Sequence, residues 1–534
     1  MSTPYRGFMY TERKSAVAFW LGSLIVCAGV VLHIPMFLMG RDIGYRLAGM
    51  PVDTGMLIGM GLILVGFAAA AYGLLPKTLP DIAHPSPETL APPEDAPLTA
   101  AHWLVMTALA IGLVIDIMKP ATLGFVLPGM RSEYALSQHV VSLFPSSALL
   151  GTTVGSFIWG ALADIYGRRA TILVSAVMFI GTAICGAMPS FWWNVFMCFL
   201  MGAAAGGMLP VAYALLAELM PTKHRGWCLV LIGGIGAIGG YFAASGFSAV
   251  LQPVFGWRIM WFLNFPTGLM LVLLSPLIPE SARFLMHTGR TTEAYAILSR
   301  FGAVERTQPI SAEESGDTHV AAPPVERKYL GTTVALTLTA LVWGLVNFGV
   351  LLWLPGALVA EGNSVGLASQ IIAKSTLLAM PVVLASVALY GWWSTKWSLA
   401  AMIAITTAGL LALILRGWGV PLVSNPLVPV TVLVVGSSGL IAIILPYTAE
   451  NYPIRFRGRA TGWVAGCSKM GGLLAQALSA LALVPTLGIS AAMVAVLSGT
   501  SLFLIGIFGR ETRGRDLREL EQRSSVSSMR LSGI

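Results

Sequence analysis

The chain has 534 residues, of which 10% are charged and 56% hydrophobic, with a mean hydropathy of +0.79. Soluble domains are about a quarter charged, so a water-dispersed globular protein is excluded and an integral membrane protein is indicated. The formal charge of +8 would suit nucleic acid only if its basic residues clustered on one soluble face, and no nucleic-acid partner is expected.

A spanning helix needs about 20 mainly apolar residues, and fourteen such stretches are separable by charged or Pro/Gly-rich breaks. Two lie near 15–39 and 54–76 and make an extra two-helix segment over residues 1–76. The first is too long for the apolar core of a signal peptide and lacks a small-residue cleavage site, so it reads as a retained helix. The proline-rich linker at 77–100 cannot form a packed core. Six spans follow within 101–278, near 101–127, 140–163, 169–188, 191–217, 226–251 and 257–278. A central loop occupies 279–330, where TTEAYAILSRF reads as a short helix and TQPISAEESGDTHVAAPPVE as a flexible linker. Six more spans lie within 331–510, near 331–357, 367–391, 397–416, 427–449, 459–484 and 487–509, before a tail at 511–534.

Orientation follows from the basic residues, which concentrate in cytoplasmic loops. Of the 32 Lys and Arg, 24 fall on the side holding both termini and the central loop, five on the other side, and three (Lys119, Lys374, Lys469) inside spans. Both termini are therefore expected in the cytoplasm, with the chain threaded repeatedly through the cell membrane and its basic loops facing anionic lipid. The five cysteines all lie in apolar segments and form no CxxC or CxxxC pair, so neither a disulfide framework nor a metal site is expected. No GxSxG, HExxH or P-loop is present, and neither enzyme activity nor a cofactor is expected.

AELMPTKHRGWCLVLIGGIGAIGGYFA begins at Ala217 and AENYPIRFRGRATGWVAGCSKMGGLLA at Ala449, 232 residues later. They align without gaps on AExxPxxxRG, on Gly234 with Gly466, and on Gly239 and Gly240 with Gly471 and Gly472. GALADIYGRR from Gly160 aligns at nearly the same offset with GWWSTKWS from Gly391, where Thr395 stands in place of Asp164. The core therefore reads as two six-helix halves related by duplication, an architecture of alternating-access carriers.

The motifs point to a family. GALADIYGRR resembles the signature loop of the major facilitator superfamily, PESARFL from Pro279 is similar to its PESPR motif, and GRETRGRDLREL from Gly509 is similar to its PETKG tail. The resemblance covers roughly residues 101 to 520 and implies an all-α membrane protein of two pseudo-symmetric six-helix bundles, here preceded by two extra helices. It also implies a charge network on the cytoplasmic face that keeps that face closed in the outward-facing state. Its members would be Gly160, Asp164, Gly167, Arg168, Arg169, Glu218 and Arg225 in the first half, Glu450 and Arg457 in the second, and Glu280 and Arg283 in the connecting segment. Gly160 and Gly167 would allow a close helix approach and a tight turn. Obedience of the arginines to topology alone is the competing reading.

Asp116 and Lys119 are three apart on one helix face. Each charge costs on the order of 3 kcal/mol at the bilayer centre, and such residues face a bundle interior or a water-filled cavity. Lys469 lies at similar depth where the first half has Ala237. On one reading Asp116 and Lys119 only neutralise each other and pin their helix. On the other, Asp116 carries a proton while Lys119 and Lys469 bind an anionic substrate. One deep acid against two bases favours a small organic anion. The DxxK position and NFGVLLWLP from Asn347 resemble the aromatic-acid/proton symporters, in which the position of Lys119 holds a second acid. Asn347, Trp343, Phe348 and Trp353 on the seventh core helix can meet a planar substrate, while His33 and Lys374 read as an interior packing residue and a snorkelling lysine. A porter of sugars or other metabolites, or a transporter-like sensor, remains the alternative.

Overall fold

The computed structural model describes residues 13–74, 90–91, 97–302, 304–305, 329–452, 454–481 and 487–513. The linker and central-loop readings at 77–89 and 306–328, and the tail beyond 513, lie outside them. Fourteen long helices run in chain order: α1 (Lys14–Met39), α2 (Thr54–Leu74), α3 (Ala100–Glu133), α4 (Gln138–Ala163), α5 (Arg168–Ala187), α6 (Phe191–Leu219), α7 (Lys223–Phe255), α8 (Ile259–Leu277), α9 (Leu330–Ala360), α10 (Val365–Trp393), α11 (Thr395–Gly417), α12 (Leu427–Asn451), α13 (Ile454–Ala480) and α14 (Leu487–Phe508). In hydrocarbon every backbone group must be paired within the segment, which is why apolar runs of this length are helical.

Thirteen of these helices are long and apolar enough, among the described residues, to cross a membrane. The remaining one is α13, whose Lys469, Gln476, serines and glycines dilute its apolar content. Lipid would not tolerate that composition, but a protein interior does, and α13 packs against α9, α12 and α4.

The two halves meet where α7 packs on α10 and α12, α3 on α9, and α4 on α13. In the central loop, Ala282–His287 and Thr291–Arg300 are short helices, the second at the place expected from TTEAYAILSRF. It turns Ala294, Leu298 and the following Phe301 inward, and Phe301 stands edge-on to His102 of α3 with ring centres 5.0 Å apart. Leu90–Ala91 pairs antiparallel with Val304–Glu305, a two-residue stitch between linker and central loop.

The extra helices form a tight hairpin. A Cβ on Gly29 of α1 would come within 2.6 Å of the Gly59 carbonyl of α2, and one on Gly66 within 2.6 Å of the Gly22 carbonyl. Backbones this close are a way helices associate without a hydrophobic drive. The hairpin rests on α5, where Ile63 abuts Gly181. His33 is fully buried and donates from Nδ1 to the Gly29 carbonyl at 2.8 Å, the packing role expected of it.

The hairpin's connecting loop docks on a buried charge. Glu133 Oε1 accepts from the backbone N–H of Leu47 at 2.7 Å and of Ala48 at 2.9 Å, and from Arg258 Nη2 at 2.8 Å. Arg258 is wholly buried and also donates to Met188 O at 2.7 Å and Tyr134 Oη at 2.8 Å. One guanidinium thereby gathers the ends of α3, α5 and α7 on the face away from the central loop.

Candidate functional site

Asp116 and Lys119 lie midway along α3, 7% and 2% exposed, with Lys119 Nζ 3.8 Å from Asp116 Oδ1. That separation is an ion pair but too long for a hydrogen bond, and Asp116 Oδ1 is buried without a hydrogen-bond partner. The Lys119 ammonium stands 3.2 Å from the centre of the Phe179 ring on α5. Lys119, expected to meet substrate, is thus directed into the first half's own core. Lys469 approaches from α13 of the second half, close enough for its charge to act on Asp116. Asp116 thus has a lysine neighbour from each half.

The adjoining wall is α9, whose Val346–Leu351 stretch is π-helical. A π turn carries one extra residue and takes a carbonyl out of the regular ladder, a feature common at functional sites. Here the Phe348 carbonyl accepts from Gln476 Nε2 of α13. Gln476 is fully buried, and its Oε1 has no hydrogen-bond partner. Asn347 Oδ1 accepts from the Tyr241 hydroxyl of α7 at 2.9 Å, a bond between the halves. Phe348 lies on Gly472, where a Cβ would meet its ring at 2.5 Å. Trp343 packs edge-on to Phe348 at 5.8 Å and donates from Nε1 to the Ser437 carbonyl at 3.0 Å. Lys374 is exposed on α10 and takes no part.

Further along the same axis is a cavity of about 610 Å³, bounded by α3, α4, α9, α13 and α14. Gly124 lets α3 approach the Leu352 backbone of α9, where a Cβ would strike the carbonyl oxygen, Gly356 faces open space, Trp353 forms part of the wall, and Arg131 and Gln138 stand in the lining.

On the face of the central loop, Glu280 gathers the first half's motif. Its Oε1 accepts from the backbone N–H groups of Arg168 at 2.8 Å, Arg169 at 3.2 Å and Ser281 at 2.9 Å. A carboxylate at the first turn of α5 complements the helix dipole. Burial nonetheless pushes the Glu280 carboxyl above the usual carboxylate range, against the pull of those three donors and Arg169. Gly167 makes the approach possible, with φ at +98° and no Cβ to strike Glu280 Oε2 at 2.5 Å. Arg168 pairs with Glu218 at 2.7 Å, Ser281 donates to Glu218 at 2.5 Å, and Arg169 donates to Ser275 O at 2.8 Å. Arg225 Nη2 reaches Met220 O at 3.5 Å. Gly160 does not serve a close approach: a Cβ there would meet nothing within 4 Å. The side chains of Asp164, Arg283 and Arg457 lie outside the described residues.

In the second half, Glu511 makes the clasp that the described residues show. Glu511 accepts from the Ser394 hydroxyl, from Thr395 Oγ1 at 2.7 Å and from Thr395 N at 3.0 Å, so it caps α11 as Glu280 caps α5. Burial opposes ionisation of Glu511, but these hydroxyl and N–H donors, with Arg513 N, outweigh it and hold the carboxyl at about 2. Glu450 accepts from Thr512 Oγ1 at 2.7 Å and faces Gly226 of the first half, where a Cβ would lie 2.9 Å from its Oε1. Among the described residues, no group of three His, Cys, Asp or Glu could hold a metal ion.

Phe179, Tyr241, Gln476 and Glu511 were not marked by sequence reasoning. Gln476 carried a usable signal, lying two helical turns from Lys469 on one stripe of α13, and Glu511 recurs 231 residues after Glu280 in a similar motif.

Residues 109–476 match the family profile described as the Major Facilitator Superfamily. The chain is 25% identical over 443 residues to the niacin transporter NiaP of Acinetobacter baylyi, covering 80% of this chain and 98% of the relative. It is 27% identical over 407 residues to the 4-hydroxybenzoate transporter PcaK of the same species, covering 73% and 86%. A solved structure of the proton:xylose symporter XylE of E. coli, bound to 6-bromo-6-deoxy-D-glucose, matches with a TM-score of 0.64 at 18% identity, over 79% of this chain and 99% of that one. At that identity the likeness is one of fold.

Proposed function

As the chain belongs to the major facilitator superfamily, we propose that it is a secondary carrier that moves a small organic anion, an aromatic or related carboxylate, across the cell membrane in symport with protons by alternating access. The observation that carries this reading is the buried Asp116 with Lys119 beside it on α3 and Lys469 near it on α13, one acid and two bases from the two halves. Two relatives named for the carriage of niacin and 4-hydroxybenzoate support a carboxylate with a planar body.

The division of labour follows from direction. Lys119 is committed to Phe179 and sets the field at Asp116. Lys469, arriving from the other half, is the cation that the substrate carboxylate meets. A substrate that engages Lys469 weakens its hold on Asp116, and Asp116 takes a proton in its place. Neutralised in this way, the site can pass between the two faces without moving an unpaired charge through apolar surroundings. Phe348, Trp343 and Asn347 wall the substrate's planar part.

The basic loops support a cytoplasmic location for the central loop and both termini. The clasps at Glu280 and Glu511 then brace the cytoplasmic ends of α5 and α11 while the opposite face opens.

The test is uptake into proteoliposomes of labelled benzoate and nicotinate under an imposed inward proton gradient. Accumulation above equilibrium that collapses with the gradient is expected; binding without accumulation would indicate a sensor.

A further inference from the structure

We propose that the cavity beside α3 and α9 is a second binding station, a capture site for an amphipathic organic anion that is separate from the Asp116–Lys469 pair. It rests on the anion-carrier reading above but assigns a site that reading does not use. Arg131 is the one ionisable residue among the described residues that line the cavity, and no acid accompanies it. Its Nη1 donates to Gln138 Oε1 at 3.1 Å and its Nε to the Leu136 carbonyl at 3.3 Å. Arg131 is itself exposed, these two bonds orient its side chain, and Nη2 has no hydrogen-bond partner among the described residues. The remaining lining is largely apolar, with the Trp353 ring from the opposite half. At about 610 Å³ the cavity falls in the range that holds small organic ligands, and a mostly apolar wall with one placed cation is the usual composition of such sites.

Separation from the deep site follows from helix geometry. Arg131 lies fifteen residues beyond Asp116 on α3, roughly 22 Å at about 1.5 Å per residue, and Gly124, at the near end of the cavity, lies roughly 12 Å beyond it. A single-ring carboxylate cannot touch Arg131 and Lys469 together. The two cations therefore hold it in succession: Arg131 takes the carboxylate on the face away from the central loop, with Trp353 against the ring, before it reaches Lys469.

The experiment uses the full chain in lipid nanodiscs and measures equilibrium binding of labelled benzoate and of neutral benzamide. In a Lys469→Met background, benzoate is expected to bind still, more weakly than to wild type. Adding Arg131→Gln should lower that residual affinity about tenfold, leave benzamide unchanged, and be reversed largely by Arg131→Lys. Ala357→Phe, which narrows the cavity without altering its charge, should weaken both ligands. If wild type binds benzoate but Arg131→Gln changes nothing in the Lys469→Met background, or if Lys469→Met alone abolishes binding, the second station is refuted and the carrier reading stands. If wild type binds neither benzoate nor nicotinate, both are refuted.

Discussion

The Lys119 ammonium stands over the Phe179 ring, 3.2 Å from its centre, and 3.8 Å from Asp116 Oδ1. A desolvated cation–π contact is worth about 2 kcal/mol or more, so Phe179 is a partner for a charge that water cannot reach. Phe179→Leu should lower thermal stability in detergent and shift the pH profile of uptake, while KM for benzoate stays within about twofold. A KM rise of about tenfold in either Phe179→Leu or Lys119→Met would return Lys119 to the substrate.

Asp116 and Lys469 should separate by assay. Asp116→Asn is expected to abolish gradient-driven accumulation while counterflow exchange of labelled for unlabelled benzoate persists. Lys469→Met should impair both and raise KM about tenfold or more, the loss of a desolvated charge-assisted contact. Accumulation at the wild-type level in Asp116→Asn would reduce the buried acid to a scaffold.

The two clasps should differ in their response to acid. Glu511 titrates at about 2 in the folded protein, below its ordinary value of 4.5, so its stabilising contribution is complete above pH 4.5 and is lost as pH falls toward 2. The melting-temperature gap between wild type and Glu511→Gln should therefore stay constant from pH 8 to about 5 and narrow only in stronger acid. Glu280 is shifted the opposite way: ionising it costs folded-state stability as pH rises from the ordinary carboxylate range through its raised value. Glu280→Gln, which keeps an acceptor for the Arg168 and Arg169 N–H groups, should be tolerated better than Glu280→Ala at neutral pH. A gap for Glu511→Gln that closes already at pH 6 would contradict this account.

Removing one partner of a buried ion pair costs about 3–5 kcal/mol, because the other charge is stranded. Arg258→Met strands Glu133 against the hairpin loop and should lower the melting temperature sharply. Glu133→Gln combined with Arg258→Met should recover part of the loss. Equal melting temperatures for Arg258→Met and wild type would show that the network carries no stability.

Much of this was legible in the residues. Apolar run lengths set the helices, the duplicated AExxPxxxRG set the halves, and the cost of buried charge singled out Asp116, Lys119 and Lys469. Which way a buried lysine points was not legible: helix periodicity puts Lys119 on the same face as Asp116 but does not say that Phe179 of another helix waits there. The second clasp was hidden for a related reason. Gapless alignment sets Thr395 against Asp164 and looks for charge, whereas the contact is made by hydroxyls and a backbone N–H that meet Glu511, supplied from a tail 116 residues further on. Tyr241 with Asn347 and Gln476 with the Phe348 carbonyl depend on how α9 is wound, which no hydrophobic pattern records.

That winding has a consequence for the reading frame of the helix. A π turn holds one residue more than the α-helix it interrupts, so deleting a single residue within Val346–Leu351 need not break α9; it can let the helix close up as ordinary α. Because the π turn already absorbs the extra residue, positions after the deletion would keep their faces relative to those before it. Trp353 would stay at its cavity and Trp343 would keep its bond to Ser437, while the Phe348 carbonyl, returned to the regular ladder, would be withdrawn from Gln476. In this helix the extra residue serves one carbonyl rather than the frame of the whole.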